Sequence, residues 1–307
     1  MTDSPWDAII IGGGSTGLSA ALQLGRLRAR VLVLDGGEPR NRFAGHMHGV
    51  LGRDHTSPLA LLADGRRELE RYDVPVVNDP ATTVAPDADG FVVTTASSTT
   101  YRARRLLVAT GLRDRLPDIE GLADRWGRAA FSCPFCDGWE HRDQAIGVIA
   151  TGPEQRHQIM LLRRLTDRLT VLTGGNRPFG PEDLAAMVER GITIDDRPIR
   201  RISGDAATVE LADDDRLDLD VLFARGAPEP FDQPLVDVGA QRGDGGWFAV
   251  DELGRTSVPG VWAAGNVVNP MLNVPATIAA GALAGSAMCG DLLTDPLVIE
   301  RPATGSV

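Results

Sequence analysis

Lysine is absent from this 307-residue chain, and all 31 basic residues are arginine. Schiff-base chemistry and a lysine-dependent phosphate loop are thereby excluded. Basic residues are outnumbered by 42 acidic ones, for a net charge of −11. Such a surface repels phosphate backbones, so no nucleic-acid partner is expected. No apolar run approaches the ~18 residues of a membrane span. The acidic start Met1-Thr2-Asp3-Ser4-Pro5-Trp6-Asp7 enters a strand pattern at once, unlike a signal peptide. A cytoplasmic protein with no membrane partner is the expectation. Cysteine is scarce too: three do not make a disulfide framework. Two of them form Cys133-Pro134-Phe135-Cys136, which inside a cell points to redox or metal chemistry. No second pair exists and the five histidines are not grouped to complete a zinc site, so no metal is expected and redox is preferred.

What is abundant is glycine, 35 residues against an average of about 7%. The opening stretch uses it densely. Ala8-Ile9-Ile10-Ile11 reads as a buried parallel strand, followed by Gly12-Gly13-Gly14-Ser15-Thr16-Gly17, a helical pattern from Leu18 to about Arg28, and a second strand, Val31–Leu34, ending on Asp35. This is a βαβ unit with Gly-x-Gly-x-x-Gly at 12, 14 and 17 and an acid 18 residues further on. Gly12 permits the tight turn, Gly14 lets a pyrophosphate approach the backbone, and Gly17 lets helix and strand pack closely. The helix N-terminus offers unpaired N–H groups to phosphates, and Asp35 can accept from a ribose hydroxyl. The glycine pattern alone is weak; strand, helix and acid together make it a dinucleotide turn.

Further on, Ser57-Pro58 predicts a helix start, with the helix running to about Tyr72. Two β-rich runs between Phe91 and Ala109 flank Ser97–Thr100 as in a hairpin. The plan then repeats: a strand over 145–150, a turn at Thr151-Gly152-Pro153, a helix over 154–165, and a strand over Leu169–Leu172. Thr208–Leu211 and Leu219–Phe223 read as a second hairpin-like pair, with Asp213-Asp214-Asp215 as an exposed turn. Asp251–Leu293 has strand-turn-helix character. Two nucleotide-binding-type domains in one α/β chain follow.

The chain resembles the low-molecular-weight thioredoxin reductases and, more closely, their FAD-dependent dithiol oxidase relatives of gliotoxin and holomycin type. The resemblance rests on the glycine fingerprint, Ala109-Thr110-Gly111, Cys133-Pro134-Phe135-Cys136-Asp137-Gly138, and Val258-Pro259-Gly260-Val261-Trp262-Ala263-Ala264-Gly265-Asn266, in that order. It implies two Rossmann-like domains (three-layer ββα) of thioredoxin reductase type, the second inserted in the first. The FAD domain would comprise 1–116 and 244–307, and a degenerate NAD(P)H-type domain carrying the cysteine pair 117–243. It further implies Cys136 against the flavin, Cys133 as the outer thiol that meets substrate, and Asp137 as acid–base group. A helix dipole behind the pair would stabilise a thiolate. Implied FAD-binding residues are Gly12, Gly14, Ser15, Thr16, Gly17, Asp35, Gly36, Arg40, His48, Thr110, Gly111, Gly265, Asn266 and Ala276. For His48 a flavin-side role and a satisfied loop histidine weigh equally. His55, His141 and His157 read as surface or packing residues, and Cys289 as a buried core thiol.

Departures from the family pattern are informative. Asn266 stands where an aspartate usually binds the ribityl chain, and Val274-Pro275 replace the Arg-Gln that precedes the alanine at 276. In the insert, Ala150, Gly152 and Gln155 occupy the places of the three small residues of a nicotinamide turn, and Pro153 lacks an N–H. Thr173-Gly174-Gly175 replaces the His-Arg-Arg whose arginines hold a 2′-phosphate, with Arg177 as a nearby substitute. NADPH is therefore a doubtful cofactor. The expected function is FAD-dependent thiol–disulfide exchange: a dithiol oxidase acting on a small dithiol with oxygen as acceptor, or else an NADPH- or ferredoxin-fed reductase of a thioredoxin-like protein. The family implies a homodimer. A non-catalytic flavoprotein scaffold is disfavoured, since it has no need of Cys-x-x-Cys-Asp.

Overall fold

The structure, a computed structural model, describes residues 4–294, so the first three residues of the acidic start lie outside it. The chain divides into two compact units. The first comprises the residues up to Arg40, Leu59–Arg113, and those from Pro230 on; the second comprises Asn41–Pro58 and Asp114–Glu229.

In the first unit the parallel strands Val76–Val77, Val31–Leu34, Trp6–Ile11 and Thr100–Val108 lie side by side in that order, with Val261–Ala263 parallel on the far side of Thr100–Val108. The opening strand is apolar on both faces because both are covered. Ala8 and Ile10 pack with Leu18, Leu24 and Met288, while Ile9 and Ile11 pack with Phe91, Val93 and Leu235. Thr100–Val108 continues into an antiparallel meander with Gly90–Thr95 and Ala81–Asp87. The hairpin around 97–100 is thus as expected. The third strand, Ala81–Asp87, was not legible, because its mostly exposed residues and Pro86 carry little strand signal. The unit's α-helices are Ser15–Arg26, Pro58–Glu70, Gln233–Asp237 and Val274–Leu292.

The second unit repeats the plan. Its parallel sheet runs Thr193–Asp195, Leu169–Leu172, Ile146–Ile149, Val221–Ala224, Ala130–Phe131. Its meander is Ile199–Ser203, Ala207–Leu211 and Arg216–Leu219. The expected pairing of Thr208–Leu211 with Leu219–Phe223 is corrected here. Arg216–Leu219 is the antiparallel partner, the chain breaks at Asp220, whose Oδ2 accepts from Ala145 N at 2.7 Å, and Val221–Ala224 joins the parallel sheet. The triple aspartate does mark the turn, with Asp214 in the left-handed region at φ 66°. The helix foreseen over 154–165 is a 3₁₀ turn, Pro153–Gln155, then an α-helix, Arg156–Leu162.

The unit boundaries differ from the expected 1–116, 117–243 and 244–307, with the first unit's middle segment ending at Arg113. Return to the first unit comes at Pro230, and the loop 41–58 clusters with the second unit. Phe43 lies flush against Gly127, and His48 reaches Glu140, contacts that bind this loop to 114–229. No helix among the described residues is long and apolar enough to cross a membrane.

Candidate functional site

The first unit's turn has the shape its glycines predict. Gly12 sits at φ 111°, and a Cβ there would overlap the Ala109 carbonyl; a Cβ at Gly17 would overlap the Gly12 carbonyl. Gly14 differs. It is the N-cap of helix Ser15–Arg26, and a Cβ there would meet nothing within 4 Å. The backbone therefore does not itself need this residue to be glycine, and the space over it suits an approaching pyrophosphate. Asp35 is buried; its Oδ1 accepts from Gly13 N at 3.0 Å and its Oδ2 from Arg66. A carboxylate has about four lone-pair sites, so acceptance from a ribose hydroxyl remains open. Gly36 is exposed just beyond it. Ser15 bonds Thr277 Oγ1 at 2.8 Å, and Thr16 is buried beneath Gly265. Arg40 donates to Pro270 O at 3.0 Å. Thr110 donates to Phe231 O at 2.7 Å, and Gly111 O accepts from Phe231 N.

Two departures in this unit have local answers. The Asn266 amide nitrogen donates to the carbonyls of Asn269 and Leu272, both at 3.0 Å. Both amide protons are thereby engaged, which leaves the side-chain oxygen as an acceptor, as an aspartate oxygen would be. Ala276 N donates to Asn273 Oδ1 at 3.2 Å, the N-cap of helix Val274–Leu292, whose N-terminal position Pro275 favours. Taken together, an open phosphate cradle, an acid on the ribose side and free helix N-terminal N–H groups fit FAD.

In the second unit Cys133 and Cys136 are joined as a disulfide, Cα to Cα 5.2 Å. Cys133 caps the helix Pro134–Asp137, whose four residues make a single turn. The expected helix-dipole support for a thiolate is correspondingly limited, since a macrodipole needs length. Gly138 permits the turn to lie against Leu165. Asp137 follows directly. Burial, with the charge of Glu140 adding to it, raises its carboxyl to about 7. A carboxyl poised there can hold or release a proton near neutrality. It lines a pocket of about 240 Å³ with His46, His48, Glu140 and His141. His141 is a packing residue, as expected, and it also lines this pocket. Its ring lies 5.0 Å from that of Phe131, and Nδ1 faces Gln144 Oε1 at 2.9 Å.

The turn after Ile146–Ile149 is filled from within. Gln155, 1% exposed, accepts through Oε1 from Thr151 N at 2.6 Å, Gly152 N at 3.2 Å and Thr151 Oγ1 at 3.0 Å, and donates through Nε2 to Ile149 O at 2.7 Å. Backbone donors that would face a pyrophosphate are already taken. The Glu154 carboxylate folds against Gly152, adding negative charge. At the neighbouring strand end, Arg197 is held by Asp195, Asp213 and Asp215. Arg177 is exposed.

Sequence reasoning missed one grouping. His48, His55 and Glu140 bring ligand-type atoms within 4.8 Å of one another. The expectation of scattered histidines fails because the loop 41–58 folds onto the segment after the cysteines. His157 is exposed elsewhere, and Cys289 is buried with its thiol pKa raised by that burial.

Comparison with known proteins agrees with this geometry. The family model described as pyridine nucleotide-disulphide oxidoreductase matches residues 6–282. The chain is 32% identical over 305 residues to thioredoxin reductase tcpT of Claviceps purpurea (strain 20.1), covering 94% of this chain and 95% of that protein. It is 32% identical over 304 residues to thioredoxin reductase sirT of Leptosphaeria maculans, covering 92% and 93%. Among solved structures, HlmI superposes with a TM-score of 0.93 at 36% identity, covering 97% of this chain and 95% of that one. An oxidoreductase from Agrobacterium tumefaciens gives 0.89 at 36%, covering 95% and 100%.

Proposed function

From the premise that this chain belongs to the pyridine nucleotide-disulphide oxidoreductase family, and is an FAD-dependent disulfide oxidoreductase, we propose that it works as a dithiol oxidase. The observation that carries this reading is Gln155 seated in the second unit's turn, where a nicotinamide dinucleotide would need those N–H groups. The redox pair and its acid are intact beside a turn closed to the usual donor.

In this reading a small dithiol attacks Cys133 as a thiolate, the Cys133–Cys136 bond breaks, and the substrate's second thiol closes its own disulfide, leaving both cysteines reduced. Asp137, with a pKa of about 7, holds and passes on a proton released in the exchange. FAD held at the first unit's glycine turn would supply the two-electron acceptor for the reduced cysteine pair and the route from there to oxygen, with peroxide as the product. Gly12, Gly14 and Gly17 shape that turn; Ser15, Thr16, Asp35, Gly36, Arg40, Thr110, Gly111, Gly265, Asn266 and Ala276 are proposed to line it. A homodimer in the cytoplasm belongs to the same proposal.

A second reading, an NADPH- or ferredoxin-fed reductase of a thioredoxin-like protein, is favoured by the names that tcpT and sirT carry. Anaerobic flavin spectroscopy separates the two. The expected outcome is rapid bleaching by a suitable dithiol, peroxide on admitting air, and slow or no bleaching by NADPH or NADH. Rapid stoichiometric bleaching by micromolar NADPH would replace the oxidase with the reductase.

A further inference from the structure

We infer that His48, His55 and Glu140 form a binding site for a divalent transition-metal ion of the zinc class, at the mouth of the pocket that Asp137 lines. Their ligand atoms lie within 4.8 Å of one another, and His48 Nε2 stands 3.6 Å from Glu140 Oε1. Tetrahedral zinc holds nitrogen and oxygen ligands at about 2.0–2.2 Å, which sets ligand atoms roughly 3.4 Å apart. One edge of that tetrahedron is therefore almost in place. The remaining closure falls to His55, whose side chain is 67% exposed on the loop, its ring edge-on to that of His48 at 4.5 Å and its Nε2 3.8 Å from Asp54 Oδ2.

Three further features favour an ion here over a self-contained polar cluster. Glu140 Oε2 is buried and has no hydrogen-bond partner among the described residues. A buried carboxylate oxygen without a donor is costly, and a cation satisfies it. The His48 ring meets carboxylates on both sides, Glu140 at 3.6 Å and Asp54 Oδ1 at 3.7 Å, each beyond a good hydrogen bond. Asp54 is itself held, accepting from Gly49 N at 2.9 Å through Oδ1. A carboxylate behind one nitrogen of a histidine whose other nitrogen faces the ion is the arrangement that fixes tautomer and ring orientation at metal centres. Two imidazoles with one carboxylate select zinc, copper or nickel over magnesium or calcium, and three protein ligands leave a position open to water.

The site does not depend on the oxidase reading, and its test uses no activity. The flavin-loaded protein, freed of reductant so that Cys133 and Cys136 stay disulfide-bonded, is dialysed to equilibrium against ZnCl₂ and analysed for metal. One zinc per chain is expected, with no comparable uptake of magnesium. His55→Asn removes the imidazole while tolerating the left-handed backbone at φ 59°. It should weaken zinc binding at least about tenfold, as should Glu140→Gln. His157→Ala should bind like the parent. Flavin content reports that each variant is folded. Absence of stoichiometric zinc, or zinc binding unchanged in both His55→Asn and Glu140→Gln, overturns the site.

Discussion

The two units carry the same βαβ turn with opposite outcomes. In the first, Gly14 caps the helix over open space; in the second, the corresponding loop is occupied by the side chain of Gln155, bonded to Thr151 and Gly152 N–H groups. The same turn can therefore be left open above its backbone N–H groups or have them satisfied by a side chain of its own. The strongest test of this contrast is Gly14→Val. Because a Cβ there meets nothing, the folded chain should persist, but the space a pyrophosphate needs is filled. The purified variant should be colourless while its far-UV circular dichroism stays native. Full flavin occupancy would show that the cofactor does not lie over this turn. A Val at Gly17 would be different in kind, since its Cβ would overlap the Gly12 carbonyl and break the turn itself.

The second unit has kept its chemistry at Cys133–Asp137 while closing its turn. Asp137→Asn should slow dithiol oxidation by about 10²-fold or more, the usual scale for a lost acid–base group, without removing colour. Its pH behaviour gives an independent check. The folded carboxyl titrates near 7, well above the ordinary 3.8, so the folded state binds the proton more tightly than the unfolded one. Stability from this group is fully present below about 4 and is lost as pH rises through about 7. Asn cannot ionise. Relative to the parent, the variant should therefore gain thermal stability on going from pH 5 to pH 8. A melting-temperature difference that is flat with pH would mean Asp137 is not buried as described.

Opening the closed turn is a subtler probe. Gln155→Ala strips the acceptor from Thr151 N and Gly152 N and the donor from Ile149 O. Leaving such groups unpaired costs about 1–3 kcal/mol, read as a lower denaturation midpoint. NADPH should still fail to bleach the flavin, because Glu154 remains over Gly152 and Arg197 remains committed to three aspartates. Efficient reduction by NADPH in this variant would show that Gln155 alone had closed the site.

Much of this architecture is legible in the sequence. The first strand, glycine turn, acid and disulfide motif are local patterns whose meaning depends on near neighbours in sequence. The loss of Gly at 155 was legible as well, but the glutamine's occupation of the loop was not, since nothing in a sequence says where a flexible polar side chain finds its acceptors. The approach of His48 and His55 to Glu140 was hidden for another reason: it depends on the loop 41–58 folding onto a segment more than 80 residues away. The break at Asp220 was missed because Leu219–Phe223, apolar but for that residue, reads as one strand, whereas the Asp220 carboxylate's bond to Ala145 N splits it between two sheets.

The smallest effect lies in the first unit, where a departure from the family pattern was compensated rather than left open. Restoring the family's residue with Asn266→Asp looks conservative by sequence. The structure argues otherwise, because the Asn266 amide nitrogen donates to the Asn269 and Leu272 carbonyls. An ionised carboxylate has no proton to give and would set negative oxygen against two carbonyl oxygens. The loss should be about 1 kcal/mol, since the site is only half-buried and water can step in. That corresponds to a melting temperature lower by roughly 1–2 °C in a chain of 307 residues. The deficit should shrink below about pH 4, where a protonated carboxyl regains one donor. Flavin content should be unchanged, because an acceptor oxygen is retained at this position. A gain in stability in the Asn266→Asp variant would mean that the amide is flipped, with its oxygen turned inward and its nitrogen outward.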